Sequence, residues 1–182
     1  MSANPAPLGL CAFSITLAAM MFVETKLASS DFENYVACIA LFTGGLAQFV
    51  AGVFTLRRGT TFSAVIFCSY AAFWFTWGLM KLVGTWTAES EDFDTAEPMY
   101  LSEWTIFTIL MFCLSFKECV ALRVTILLTA ISMALLAAGR FDEDVLKVGG
   151  YFGLAASAGA AYIATSAIAK ENYGFYFYHC NT

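Results

Sequence analysis

Long apolar runs separated by short polar turns fill almost the whole chain. The runs fall at about 8–27, 35–56, 61–83, 100–117, 119–139 and 145–168. Each is close to the roughly 20 residues with which an α-helix crosses a hydrocarbon core about 30 Å thick. The pattern predicts an all-α integral membrane protein, a single six-helix domain over residues 1–182 embedded in the lipid bilayer. The fourth run is the least regular. Glu103 enters it early, Lys117-Glu118 ends it, and its turn into the fifth is tight, which leaves five spans as the competing count. The stretch from Gly84 to Ser102 is the one long connection. It carries Glu89, Glu91, Asp92, Asp94 and Glu97, and reads either as a solvated acidic loop or as a collector of cations and protons. The aromatic tail from Tyr173 to Tyr178 suits the headgroup level, where belt aromatics lie.

Composition agrees with this picture. Sixty per cent of residues are hydrophobic and 13% are charged, against about 25% charged in a soluble domain, too few for a water-facing surface. The first run has no basic segment ahead of it and no clear cleavage site, so it is expected as a retained span rather than a signal peptide. With six spans, both termini and the 2–3 and 4–5 turns share one side, which holds Arg57, Arg58, Lys117, Arg123 and Lys170. The other side holds Lys26, Lys81, Arg140 and Lys147 with most of the acids. Basic residues set orientation and acids contribute little. The adjacent Arg57-Arg58 pair in a short turn therefore places both termini in the cytoplasm, with the plasma membrane as the expected location. His179 is the sole histidine, and the six cysteines form no CxxC pair, so no metal or cofactor site is expected. The thiols are expected to behave as small apolar side chains. No nucleic-acid partner is expected.

No nucleophile with a nearby base, no phosphate-cradling loop and no ligand cluster points to an enzyme. The predicted spans are also nearly free of ionisable residues away from their ends. Intramembrane Asp, Glu, Lys or His would mark a proton relay or tight ion coupling. What remains is a neutral pathway of aromatic, hydroxyl and amide groups, suited to something small. The alternative is a non-transporting, tetraspan-like interaction protein, which would carry disulfide-rich outer loops; the longest loop here has no cysteine. Small residues recur at helical spacing, with Gly44, Gly45 and Gly52 in the second run and Gly149, Gly153, Ser157, Gly159, Ala160 and Ala164 in the sixth. Such faces let helix backbones approach closely, within one chain or between copies. So small a bundle leaves much lateral surface, and a homo-oligomer is expected.

The opening segment Asn4-Pro5-Ala6-Pro7-Leu8-Gly9-Leu10 has its own physical reading. Asn4 suits an N-cap and Pro5 the first helical position, where a missing N–H costs nothing. Gly9 thins the helix for a close approach. The remaining first-turn amides, with the positive end of the helix dipole, suit a carboxylate. A well-capped helix start with no ligand explains the same residues.

That heptapeptide, followed by Phe13, resembles the signature of the acetate uptake transporter family, which includes succinate–acetate permeases of the YaaH type and their fungal relatives. The resemblance continues in Gly44-Gly45-Leu46-Ala47-Gln48 with Ala51-Gly52, in Ser69-Tyr70 with Phe73-Trp74, and in Ala134-Leu135-Leu136-Ala137 with Gly139. It runs from residue 4 to about 168. It implies a six-helix protomer with one pore, cytoplasmic termini and a hexameric assembly. It also implies passage of acetate and related short monocarboxylates, and in some members succinate, channel-like or coupled to protons. Substrate contact falls on Asn4, Pro5, Ala6, Pro7, Leu8, Gly9 and Gln48. The family's hydrophobic constriction maps onto Phe13 and Tyr70, and its third position, five residues before Ala134, onto Thr129 with Leu128 beside it. A carboxylate in a narrow passage needs donors without a trapping charge. The Tyr70 hydroxyl and the Gln48 amide fit that need, and Phe13 supplies steric closure. Read without the resemblance, Phe13 and Tyr70 also suit a bundle core, and Gln48 a tie between helices.

Overall fold

The computed structural model describes residues 3–86 and 92–174, all helical apart from short turns. Helix α1 spans Ala6–Glu24. The second span is composite: a 3-10 turn at Ser30–Phe32, α2 at Glu33–Ile39, a π-helical segment at Ala40–Ala47 and α3 at Gln48–Arg57. Then follow α4 (Thr61–Trp86), α5 (Asp92–Leu114), α6 (Val120–Gly139) and α7 (Glu143–Tyr173). Six of these stretches are long and apolar enough to cross a membrane, which decides the count against five.

Local chemistry explains the ends. Asp142 caps α7, its Oδ1 accepting from the amides of Asp144 and Val145 at 3.0 and 3.3 Å, as an N-cap carboxylate does. Gly59, at φ +79°, ends the second span in the left-handed conformation that glycine adopts without penalty. The expected long loop is shorter than its sequence implied. Helix α5 already begins at Asp92 and carries Pro98 within it, while the span itself starts at Ala96. Glu89 and Glu91 of that loop, and the tail from Phe175 onward, lie outside the described residues.

The spans neighbour one another in a ring. α5 packs on α6, α6 on α7, α7 on α1, α1 on the π segment and α3, and α3 on α4. The ring closes between α4 and α5, whose backbones barely meet. There large rings bridge the gap: Tyr70 lies 6.0 Å from both Trp104 and Phe107, and Phe73 stacks on Tyr100 at 5.3 Å. Elsewhere small residues bring backbones together. A Cβ on Gly52 would sit 2.9 Å from the Cys68 amide nitrogen. A Cβ on Gly153 would collide with Met21 of α1 and lie 2.8 Å from the Ser132 hydroxyl of α6. Gly153 therefore belongs to the interior of one chain and is not available to a second copy. Ser14 and Ser157 add a reciprocal clasp between α1 and α7, each hydroxyl donating to the other's carbonyl at 2.9 Å.

The thiol expectation needs one correction. Cys11, Cys38, Cys68 and Cys113 are free, but Cys119 is disulfide-bonded. No CxxC spacing announced it.

Candidate functional site

The middle of the bundle is aromatic and buried. Phe13 and Tyr70, predicted to share a constriction, meet with ring centroids 5.3 Å apart and are 7% and 3% exposed. Trp74 lies 6.5 Å from Phe13, and Phe73, Trp104 and Phe107 surround Tyr70. The Tyr70 hydroxyl is already engaged. Thr108 gives its single proton to the Trp104 carbonyl at 2.6 Å, so Tyr70 donates to Thr108 at 2.8 Å. Tyr70 thus meets Phe13 with its ring, and its proton is engaged by Thr108. Met133 of α6 joins this group, its Sδ 3.5 Å from the Thr108 hydroxyl.

The two candidates for the third position differ. Thr129 is 3% exposed and turns its hydroxyl back to the Thr125 carbonyl at 2.8 Å. That bond satisfies the group within its own helix and removes it as a donor. Leu128 is half-buried and packs on the central cluster.

Gln48 follows directly on the π segment, which widens the turn and sets the helix face on which it emerges. Gly44 and Gly45 within that segment leave room for rings of α4. A Cβ on Gly44 would lie 2.5 Å from Trp74, and one on Gly45 2.8 Å from Phe75. Gln48 is 1% exposed, inside the bundle as expected.

Between this middle and the chain termini lies a cavity of about 170 Å³. Asn4, Pro5 and Ala6 line it with Leu10, Ile66, Phe67 and Ile163, and its polar rim includes Arg58, Glu118, Ser166 and Lys170. Phe67 stands one turn from Tyr70 and Leu10 one turn from Phe13, so the cavity floor adjoins the Phe13–Tyr70 contact. Burial pushes the Glu118 carboxyl above its ordinary range. The heptapeptide divides in two. Asn4, Pro5 and Ala6 face the cavity; Pro7 is buried, Leu8 is exposed, and Gly9 packs on Phe67, where a Cβ would lie 2.7 Å from the ring. The expected cradle of spare amides is not there. The Asn4 Oδ1 takes the Ala6 amide at 3.2 Å, the Pro5 carbonyl takes those of Leu8 and Gly9 at 3.1 and 3.4 Å, and proline has none. Donors at this mouth are side chains instead. Arg58, for one, holds the Ala3 carbonyl at 2.8 Å.

The opposite end is closed by charge. Arg140 grips Glu24 with both terminal nitrogens, at 2.7 and 3.2 Å, and reaches Glu97 at 3.0 Å. Glu97 pairs with Lys81 at 2.9 Å, and Lys81 with Glu33 at 2.8 Å. Trp77 also donates to Glu97 at 3.2 Å. Glu97, expected as part of a solvated loop or a cation collector, is instead the largely buried centre of this chain of charges.

A ring of six spans around an aromatic closure can be compared with known proteins. The model of the GPR1/FUN34/yaaH family matches residues 1–180. The chain belongs to that family. Among family relatives, acetate permease A of Emericella nidulans is 32% identical across 96% of this chain, which spans 64% of the permease's own length. The succinate-acetate/proton symporter SatP of Escherichia coli is 31% identical across 94% of this chain and 92% of its own. A solved structure of the bacterial acetate channel SatP superposes with a TM-score of 0.92 at 28% identity, covering 99% of both chains.

Family membership fits what could be read from the residues, and it leaves out part of what the structure holds. Thr108, Met133, Trp74 and the Glu24–Arg140–Glu97–Lys81–Glu33 chain were not singled out as site residues. For Trp74 the signal was its place in the Phe73-Trp74 match. For the charges it was that each lies at a span end, on the side assigned opposite the termini.

Proposed function

We propose that this chain passes acetate and related short carboxylates, succinate among them, across the plasma membrane, with both termini in the cytoplasm. The observation that carries this reading is the Phe13–Tyr70 closure, 5.3 Å between centroids, at the floor of a mouth lined by Asn4, Pro5 and Ala6. The names of the relatives, a permease, a symporter and a channel for acetate, support the substrate class. In this reading Asn4 and Arg58 receive the carboxylate at the mouth, and Gln48 meets it beside the closure. Phe13, Tyr70 and Leu128 shape the narrow point, while Thr129 serves its helix. Pro5 and Ala6 form the mouth wall, and Pro7, Leu8 and Gly9 hold the shape of the turn.

The protomer assembles with copies of itself, most simply as a hexamer. Glu103 supports this: it is exposed on the outer face of α5, within the span. A carboxylate facing lipid there is costly, and a neighbouring copy removes the cost. Apolar side chains on the second span, including Phe42 at 68% and Phe54 at 51% exposure, offer surface to lipid or to a neighbour.

The test is uptake of labelled acetate into liposomes holding the purified protein, with and without a pH gradient. Saturable uptake, competed by propionate or formate and not by glucose or an amino acid, is expected. Vesicles that move a sugar or a cation but no carboxylate contradict the reading.

A further inference from the structure

Two side chains beside the closure lack the partner their chemistry demands. The Oε1 of Gln48 accepts no hydrogen bond and the Nε1–H of Trp74 donates none, although the residues are 1% and 0% exposed. Buried polar groups are nearly always satisfied, so each orphan asks for a reason. The two stand at one level of the bundle. Gly44 faces Trp74 and Gly52 faces Phe67 and Cys68, which puts Gln48, midway between those glycines, opposite the turn of α4 that joins Tyr70 to Trp74. Phe13 packs on both Tyr70 and Trp74. An unused acceptor and an unused donor therefore stand beside the Phe13–Tyr70 contact.

No charge stands near them on α1, the second span or α4, and Glu103 of α5, next to the Trp104 that packs on Tyr70, is exposed on the outside of its helix. The first charged residue along α1 is Glu24, along α2 Glu33, along α3 Arg57 with Arg58 beyond it, and along α4 Lys81. The nearer titratable groups are Cys11, Tyr35, Cys38, Cys68, Tyr70 and Tyr100; the three thiols are free, Tyr70 donates to Thr108, and Tyr100 donates to the Phe73 carbonyl. A carboxylate only accepts hydrogen bonds, and the Gln48 Oε1 would face it with lone pairs. A carboxylic acid carries one O–H and one carbonyl, which match Oε1 and Nε1–H in turn. Magnitudes favour the acid. Full burial raises a carboxyl pKa by up to about 3–5 units. The gap between a model carboxyl near 4.3 and pH 7 is only about 2.7 units.

We propose that Gln48 and Trp74 form a mid-passage station that receives short carboxylic acids in their undissociated form. The acid O–H donates to Gln48 Oε1, and Trp74 Nε1–H donates to the acid carbonyl. The anion takes up a proton from water at one mouth and returns it at the other, so each passage moves one proton with the substrate and no net charge. No side chain of the protein has to titrate. The inference rests on the transport reading above and names the chemical form of the substrate at that site.

The experiment is labelled-acetate uptake into proteoliposomes between pH 5.5 and 7.5, corrected for protein-free vesicles, with a potassium diffusion potential of either sign. Wild type, Trp74→Phe and Gln48→Met are compared. For wild type the initial rate at subsaturating acetate rises about tenfold per unit of falling pH, tracking the undissociated fraction, and ignores the potential. Each variant keeps that pH profile and raises KM about fivefold or more, the loss of one hydrogen bond, with the maximal rate less affected. Saturable wild-type uptake that follows the potential and the total acetate overturns the station while leaving transport intact. So does a Trp74→Phe or Gln48→Met protein with wild-type KM. Wild-type vesicles with no uptake above protein-free ones overturn the transport reading and the station with it.

Discussion

The two ends of this bundle are built in opposite ways. At the end that carries the termini, helix starts and stops surround a cavity of about 170 Å³ whose lining includes Asn4, Arg58, Glu118 and Lys170. At the other end, five charged side chains from α1, α2, α4, α5 and the end of α6 pair with one another across the bundle. Charge at the first end lines a cavity; charge at the second is paired across five elements. Such pairs are not strong net stabilisers, since desolvation offsets much of the attraction, but breaking one leaves a buried charge alone. The far end should therefore be stiff and sensitive to single substitutions, and the mouth tolerant. Between them the aromatic middle buries no charge; Glu103, next to Trp104, is exposed on the outside of α5.

The largest effect is expected from Arg140→Ala. It strands the buried Glu24 and leaves Glu97 with Lys81 and Trp77 alone, and should cost about 3–5 kcal/mol, read as a lower Tm in detergent. A double variant, Arg140→Met with Glu24→Leu, should recover much of the loss. If Arg140→Ala melts like wild type, the far end is not the closed, interlocked region described.

Next comes Gly153→Leu. Its Cβ already meets Met21 and Ser132, so overpacking of about 1–3 kcal/mol or more is expected. The outcome is poor folding and expression rather than a well-folded smaller oligomer. A stable, monodisperse Gly153→Leu protein of reduced mass would return this residue to the surface between copies.

At the mouth the expected effects are smaller. Asn4→Ala removes the acceptor of the Ala6 amide and should cost about 0.5–2 kcal/mol of helix stability, with weaker apparent acetate affinity and unchanged oligomer size. An unchanged affinity with impaired folding alone would make Asn4 a cap and nothing more. The smallest effect belongs to Glu118→Gln. Burial raises the Glu118 carboxyl pKa in the fold, so its contribution is fully present below the ordinary range and is lost as pH rises through the folded value. The neutral variant should melt slightly higher than wild type at pH 7 and equally at a pH below about 4. A lower melting point at pH 7 would mean that the Glu118 charge is held by a partner.

The contrast between the ends also marks where the sequence was readable. Six spans follow from apolar length, and Phe13 and Tyr70 follow from motifs that lie far apart in the chain yet meet at 5.3 Å. The π-helical segment at Ala40–Ala47 was not readable, because apolar composition is the same whether a turn closes at i+4 or i+5. Glu97 read as loop because acids cluster before it; its partners Lys81 and Arg140 lie 16 and 43 residues away, and pairing across spans leaves no local trace. Gly153 showed that it needed a close neighbour without showing which. The heptapeptide showed a helix start, but the cap position falls on Pro5 rather than Asn4: the helix begins at Ala6, Asn4 holds the Ala6 amide from one residue further out, and the Pro5 carbonyl occupies the amides beyond.

The central claim is that the uncharged aromatic middle, not either charged end, decides what passes. The most direct test is the ratio of butyrate to acetate uptake in proteoliposomes, compared for wild type, Phe13→Ala and Asn4→Ala. Removing the Phe13 ring opens the closure against Tyr70, so the ratio should rise severalfold in Phe13→Ala. In Asn4→Ala it should stay at the wild-type value while both rates fall together. A ratio unchanged in Phe13→Ala, or one shifted as far by Asn4→Ala, would contradict the account.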